Sequence, residues 1–457
     1  MVQDECRKWP TAGRLAMSLT PPEKVGKLQT ALHAKAKATP AYRFYLLYDK
    51  LYRRDVLAHA YLRCKANQGA AGVDSQTFAD IEAYGERRWL EELAKELQDK
   101  TYRCSPVKRV WIPKPDGKQR PLGIPTIRDR VVQMAAVLVL EPIFEADLPS
   151  EQYAYRPGKS ALDAVQRVRE LVDAGYTDIV DADLSGYFDS IPHADLMRSV
   201  ARRISDRHLL HLIKMWLEAP VEETDERRRV QRTTRNKDEG RGTPQGGVAS
   251  PLLANLYMRR FILGWKQLGH EQRLHAHIVN YADDFVICTR GRADEAMAAM
   301  RRMMAKLKLT VNEQKTRRCR LAEGAFTFLG YTFARYYSLR TGRPYLGPRP
   351  ALKKIRKLCR EISEVTDRRT CQRATAEQVR KLNHKLRGWA NYFCLGTVVR
   401  VYNVVMKHAR RRLRRWLCFK HKRRSRSYRQ FPNDVLHDTL GLLRLVPAKY
   451  RTPWAMA

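Results

Sequence analysis

Apolar positions recur at helical spacing towards both ends of the chain and mix with strand-like runs in its middle. In residues 1–105 two amphipathic stretches flank the turn-rich run Asn67-Gln68-Gly69-Ala70-Ala71-Gly72-Val73-Asp74. In the second, Trp89, Leu90, Leu93 and Leu97 share a face with charges on the other positions, so this part is predicted to be mostly helical. At Val107 the texture changes. Val110 to Lys114 reads as a strand, Pro115-Asp116-Gly117-Lys118 as a turn and Arg120 to Ile124 as the return strand. Helices are predicted over 128–146 and 160–174, the second because Leu162, Val165, Val168, Leu171 and Val172 align and Gly175 can cap it.

Residues 176–345 read as strands mixed with helices. Asp178 to Leu184 is a short strand, Pro251 to Phe261 a helix, His277 to Cys288 a strand–turn–strand and Phe326 to Phe333 another strand. The densely charged stretch Glu222 to Arg241 reads as a loop. From Pro350 onward three helices are marked by Leu352, Ile355, Leu358, Ile362 and Val365, by Val379, Leu382, Leu386, Trp389 and Phe393, and by Val398, Val401, Val405, Leu413 and Trp416. At these spacings Trp389, Tyr392 and Trp416 are expected in a core rather than stacked on bases.

Composition narrows the class. Among 457 residues, 87 Lys+Arg stand against 48 Asp+Glu, a net charge of +39, which is tolerable where a polyanion neutralises it. An apolar content of 44% argues against a disordered basic tail. A folded protein holding nucleic acid over a wide surface follows. Nine cysteines, scattered and without a Cys-x-x-Cys pair, fit reduced thiols and neither a disulfide framework nor a zinc ribbon. The most apolar run, Val131 to Leu140, is too short to span a bilayer, and Asp4, Glu5, Arg7 and Lys8 precede no sustained apolar stretch. A cytoplasmic protein without a membrane partner is expected.

The chemistry concentrates in Ile278-Val279-Asn280-Tyr281-Ala282-Asp283-Asp284-Phe285-Val286-Ile287, where two adjacent acids sit between apolar strand halves. A hairpin there would hold both carboxylates at its tip. Adjacent like charges cost stability unless a cation offsets them, and Mg²⁺, with its preference for hard oxygen ligands, is the natural candidate. Upstream, Asp181 and Asp183 point to one face of the strand that begins at Asp178. At the strand end the Asp183 carboxylate and the following carbonyl, that of Leu184, can both reach a metal. Three carboxylates from two adjacent strands can hold two Mg²⁺ ions roughly 3.5–4 Å apart, the geometry of in-line phosphoryl transfer.

Together, these motifs resemble the palm of a reverse transcriptase. The resemblance continues through Arg109 to Arg130 (the fingers hairpin), Tyr153-Ala154-Tyr155-Arg156-Pro157-Gly158-Lys159-Ser160, Gly242-Thr243-Pro244-Gln245-Gly246-Gly247, Leu309 to Arg317, and Phe328-Leu329-Gly330-Tyr331. With Gly388-Trp389-Ala390-Asn391-Tyr392-Phe393 in a basic helical region behind them, the blocks are similar to bacterial group II intron-encoded reverse transcriptase/maturases. The resemblance implies an α+β right-hand polymerase: a mostly helical N-terminal extension (1–105), fingers (106–175), a palm with an antiparallel sheet (176–345), an α-helical thumb and maturase region (346–425) and a short basic tail (426–457) without an endonuclease domain.

It also implies roles. Asp183, Asp283 and Asp284 would be the catalytic acids and, with Leu184, the ligands of two Mg²⁺ ions; Asp181 is expected to be structural or a neighbour of the ligands. Phe188 matches a steric gate against the ribose 2′-hydroxyl, with a core aromatic as the other reading. Lys114 and Arg120 match groups that close on the incoming triphosphate, with Lys108, Arg109 and Lys118 competing for the lysine role. Gln245 matches a nucleotide-pocket residue, and Lys315 a general acid for pyrophosphate or an ordinary surface lysine. Arg400, Lys407, Arg410, Arg411, Arg414 and Arg415 would face nucleic-acid phosphates. The implied partners are an RNA template/primer duplex, intron RNA, target DNA and deoxynucleotides. The rival readings are a host-adopted reverse transcriptase in phage defence, CRISPR spacer acquisition or DNA repair, and an RNA-binding splicing factor whose polymerase site is only scaffold.

Overall fold

Val131 to Leu140 lies inside the helix Ile127–Glu145, which is buried on every side. A helix apolar all round belongs in a core, and here the helices Glu23–Ala38 and Arg54–Ala66 pack against it. The computed structural model describes residues 19–113, 117, 119–224, 229–338, 341–423 and 427–447. Among these, the N-terminal part is helical as expected, with further helices at Phe78–Tyr84 and Glu86–Gln98.

The strands are β1 (Val107–Pro113), β2 (Gln119–Ile124), β3 (Asp178–Asp183), β4 (Val221–Thr224), β5 (Val230–Thr233), β6 (Ala276–Tyr281), β7 (Asp284–Thr289), β8 (Arg317–Arg320), β9 (Phe326–Phe328), β10 (Tyr331–Tyr337) and β11 (Pro344–Pro350). They form three sheets, ordered β2-β1-β4-β5, β6-β7-β3-β8 and β11-β10-β9. The β1–β2 hairpin appears where the alternation placed it, with Ile112 opposite Arg120.

Two segments depart from the sequence reading. The charged stretch from Glu222 to Arg241 is not simply a loop: β4 and β5 pair antiparallel there, and β4 joins β1 in parallel through Val107 and Val221. The anchor is local, since Val107 and Val221 are buried and the Val107 N–H donates to Pro220 O at 2.8 Å. Beyond it β5 is exposed along its whole length, so no apolar alternation announces it. The strand expected over Phe326 to Phe333 folds instead into the β9–β10 hairpin, turning at Leu329 and Gly330, both in the left-handed region (φ 49° and 85°).

The central sheet carries the alternation of a two-faced buried strand set. Val180, Ala182, Phe285 and Ile287 enter the main core, which also takes in the helices Ser250–Gln267 and Ala293–Lys306. Ile179, Val279, Val286 and Cys288 enter a second core with the helix Ala161–Asp173. Register in such a sheet is strongly specified, because a slip of one residue would exchange the two faces.

The C-terminal helices Leu352–Val365, Thr375–Tyr392 and Val399–Lys420 bury Leu358, Ile362, Leu386, Val405, Leu413 and Trp416 against one another. Trp389 and Tyr392 are half-buried; Trp389 packs on Phe393 (ring centroids 4.8 Å), and the Tyr392 hydroxyl donates to Leu329 O at 2.7 Å. These rings join the helical region to the β9–β10 hairpin. Among the described residues every cysteine is free, and no helix is long and apolar enough to cross a membrane.

Candidate active site

β3 and β7 are antiparallel neighbours in a register that sets Asp183 opposite Asp284 and Ala182 opposite Phe285. β6 and β7 pair from Ala276–Thr289 to Tyr281–Asp284, which leaves Ala282 and Asp283 as a two-residue turn. Ala282 has φ 58°, a conformation that costs an L-residue roughly 1–2 kcal/mol. Asn280 offsets it: its side-chain amide donates to Ala282 O at 2.8 Å, while its backbone pairs with Glu151 O and the Tyr153 N–H. Asp283 is thus presented by a turn fixed on both sides.

The acids crowd one another. Burial pushes the Asp284 carboxyl up to about 7, and Asp181, Asp283 and Asp183 push in the same direction. Burial also raises Asp283, with Asp183 adding to it and Arg120 and Lys315 opposing. Asp181 is raised by burial and opposed by Arg317, whose Nε lies 3.3 Å from its Oδ2. Asp183 is the most heavily bonded of the four. Its Oδ2 accepts from Asn312 Nδ2 and from Lys315 Nζ, both at 3.0 Å, and its backbone oxygen accepts from the Asn312 N–H at 2.9 Å.

This arrangement tests the expectation of a divalent cation. Asp181, Asp283 and Asp284, whose carboxyls burial and neighbouring acids push up, stand with Asp183 as the hard, mutually repelling oxygen donors such an ion relieves, and in that sense they fit it. The bridge between Leu184 and Val311 uses Asp183 O and the Ser185 N–H, so the Leu184 carbonyl is not engaged in it. Among the described residues no three His, Cys, Asp or Glu side chains converge closely enough to hold a metal. Lys315 and Asn312 hold the Asp183 oxygen that an ion would need.

Beside the acids, Arg120 Nε donates to Gln245 Oε1 at 3.2 Å, and Gln245 Nε2 donates to Asp189 Oδ2 at 3.0 Å. The Gln245 backbone oxygen accepts from the Gly123 N–H at 2.6 Å, tying this loop to β2. Gly246, at φ 117°, makes that approach possible: a Cβ there would lie 2.3 Å from Gly123 O. Lys114 lies outside the described residues. Phe188 is only 8% exposed, in the main core and beside the Tyr187 ring, so its ring serves as core at least.

The basic helix divides by face. Arg400, Lys407, Arg411 and Arg415 are exposed along one stripe, and Arg410 is half-buried. Arg414 is turned inward, against expectation, donating from Nε to Phe431 O at 2.7 Å and from Nη2 to Asn433 Oδ1. Asp189 closes the acidic run that begins at Asp183, and Asn312 falls in the Leu309 to Arg317 block, but the sequence assigns neither a role.

Residues 112–333 match the family described as reverse transcriptase (RNA-dependent DNA polymerase), and residues 355–431 match the group II intron maturase-specific domain. Protein YkfC of Escherichia coli (strain K12) is 32% identical over 348 residues, 68% of this chain and 88% of that protein. The group II intron-encoded protein LtrA of Lactococcus lactis subsp. cremoris is 28% identical over 353 residues, 63% of this chain, and this chain spans 56% of LtrA's length. A putative COX1/OXI3 intron 1 protein of Saccharomyces cerevisiae is 26% identical, over 61% of this chain and 38% of its own. With the acids paired across β3 and β7 inside the first matched region and the basic helices inside the second, the chain belongs to the RNA-directed DNA polymerases of the group II intron reverse transcriptase/maturase family.

Proposed function

We propose that this chain copies RNA into DNA at the cluster of Asp183, Asp283 and Asp284, and that it binds group II intron RNA through its basic helices to assist splicing and mobility. In a right-hand arrangement, residues 106–175 serve as fingers, 176–345 as palm and 346–425 as thumb and maturase region, behind an N-terminal extension. The observation that carries the reading is the register that sets Asp183 opposite Asp284 with Asp283 in the adjoining turn.

Asp183, Asp283, Asp284 and the Leu184 carbonyl would hold Mg²⁺, two ions in all. When bound, Mg²⁺ supplies activation of a primer 3′-hydroxyl and neutralisation of the leaving pyrophosphate. Arg120, whose charge already acts on Asp283, binds the triphosphate of the incoming deoxynucleotide. Gln245 orients that nucleotide, and Gly246 lets the backbone come close to it. Phe188 would bear on the sugar with whatever edge the core leaves open. Lys315 holds a proton at Nζ for delivery to the leaving group. Arg400, Lys407, Arg411 and Arg415 position nucleic-acid phosphates without reading sequence.

Incubation with poly(rA)/oligo(dT), dTTP and Mg²⁺ tests the polymerase. The wild type should extend the primer and Asp283→Ala should not, with RNA binding retained. Equal extension by both would overturn the assignment. Binding to RNA that flanks the chain's own gene, across a salt series, tests the intron-RNA half.

A further inference from the structure

The contacts around Gln245 form a directional chain. An ionised carboxylate only accepts hydrogen bonds, whereas a glutamine amide has a donating and an accepting end. Asp189 Oδ2 receives Gln245 Nε2 at 3.0 Å, so the amide carbonyl must face the other way, where it receives Arg120 Nε at 3.2 Å. Asp189 stands on the short helix Tyr187–Ser190, directly after the strand that carries Asp183. That helix is pinned: the Tyr187 hydroxyl donates to Ala254 O at 2.6 Å, and the Thr243 N–H donates to Phe188 O at 2.8 Å. A rigid acceptor on the acid-bearing element thus sets the amide, and the amide sets the guanidinium on the β1–β2 hairpin.

We propose that Asp189 is a positioning residue for deoxynucleotide binding, fixing the Gln245 amide so that its carbonyl holds Arg120 in line for the triphosphate. The inference rests on the polymerase reading above but concerns a residue with no role in it. It explains why a carboxylate is found there. An asparagine could offer either end to Gln245, the amide could flip, and its NH2 group would then oppose the Arg120 N–H.

Single-nucleotide extension on poly(rA)/oligo(dT) separates this from a structural role. Asp189→Asn should raise KM for dTTP about tenfold, the scale of one charge-assisted hydrogen bond, with kcat within about threefold. Gln245→Glu should do the same or worse by setting two carboxylates together. The double variant Asp189→Asn with Gln245→Glu should recover most of the loss, because the introduced amide can donate to one oxygen of the introduced carboxylate while the other oxygen receives Arg120. Thermal melts of each variant identify loss of folding, which recovery in the double variant also rules out. An unchanged KM in Asp189→Asn, or additive losses in the double variant, would overturn the proposal. Failure of the wild type to extend at all would instead overturn the polymerase reading.

Discussion

Lys315 Nζ lies 3.0 Å from Asp183 Oδ2, on the same oxygen that accepts from Asn312. The ammonium occupies the place where a divalent cation would draw charge, so the two compete. Lys315→Ala should therefore lower the Mg²⁺ concentration for half-maximal primer extension about fivefold, the scale of one exposed ion pair. The maximal rate should fall about 10²-fold if the same lysine is the proton donor. A Mg²⁺ titration of the extension rate reads both, and a half-saturation that rose would show that Lys315 assists the cation.

Asp181 and Asp283 both crowd Asp284, yet their surroundings differ. Asp181 faces Val286 on one side and Arg317 on the other, with Arg317 Nε 3.3 Å away, whereas Asp283 sits in the turn beyond the ladder. Asp181→Asn should keep extension within about tenfold, because its charge is already answered locally. Asp283→Ala should lose roughly 10³-fold or more, the scale of several kcal/mol of lost charge stabilisation. Primer extension by the two purified variants decides between these outcomes, with filter binding to RNA as the control for folding.

What can be read from the sequence follows from where the information lies. β3, β6 and β7 are legible because apolar residues fill both faces and, Asp181 apart, acids interrupt them only at the ends. The β4–β5 hairpin is not, since a single buried pair, Val107 with Val221, anchors strands that otherwise carry charge into solvent. The turn at Leu329 is hidden because a leucine with positive φ leaves no compositional mark. Arg414 and Arg415 are adjacent in sequence, but one step around the helix turns Arg414 onto Phe431 and Asn433 and leaves Arg415 in solvent. Asn312 and Asp189 act through contacts 129 and 56 residues away in the chain, which no local pattern encodes.

Gly246 tests the joint between β2 and the loop holding Gln245. Any Cβ there meets Gly123 O at 2.3 Å, a backbone atom that cannot step aside, and φ is 117°. Gly246→Ala should cost about 2–4 kcal/mol, combining conformational strain with loss of the Gly123–Gln245 hydrogen bond. Gly240→Ala, also at positive φ but with nothing within 4 Å of the new Cβ, should cost only about 1 kcal/mol. Urea unfolding midpoints of the two variants measure the difference.

Arg203 is fully buried and ties the N-terminal helices to the rest. Its guanidinium donates to Ala36 O at 2.7 Å, to Thr39 O at 3.1 Å and to Pro40 O, capping the helix Glu23–Ala38, and its Nε lies 3.4 Å from Asp147. Arg203→Met should cost about 2–4 kcal/mol, because it takes the buried donor from Ala36 O and Pro40 O and removes one of the two guanidiniums at Asp147, which keeps Arg202. The loss should first appear as faster hydrogen exchange in residues 23–40, with exchange in β3 and β7 changing later. Uniform acceleration across the chain would show that the N-terminal helices do not open as a separate unit.

The stripe of Arg400, Lys407, Arg411 and Arg415 makes a prediction that Arg414 does not share. Phosphate contacts release counterions, so each contact removed should flatten the plot of log affinity against log salt by about 0.7–0.9. Replacing all four exposed residues with glutamine should lower the slope by about 3 and weaken RNA binding most at low salt, with little effect on folding. Arg414→Gln should leave the slope unchanged but lower the melting temperature, because its guanidinium holds the segment at Phe431 and Asn433. Titrations at four or more salt concentrations, paired with melts, separate the two faces. A slope that fell by about 0.7–0.9 for Arg414→Gln would mean that the C-terminal segment moves aside and releases that arginine to the nucleic acid.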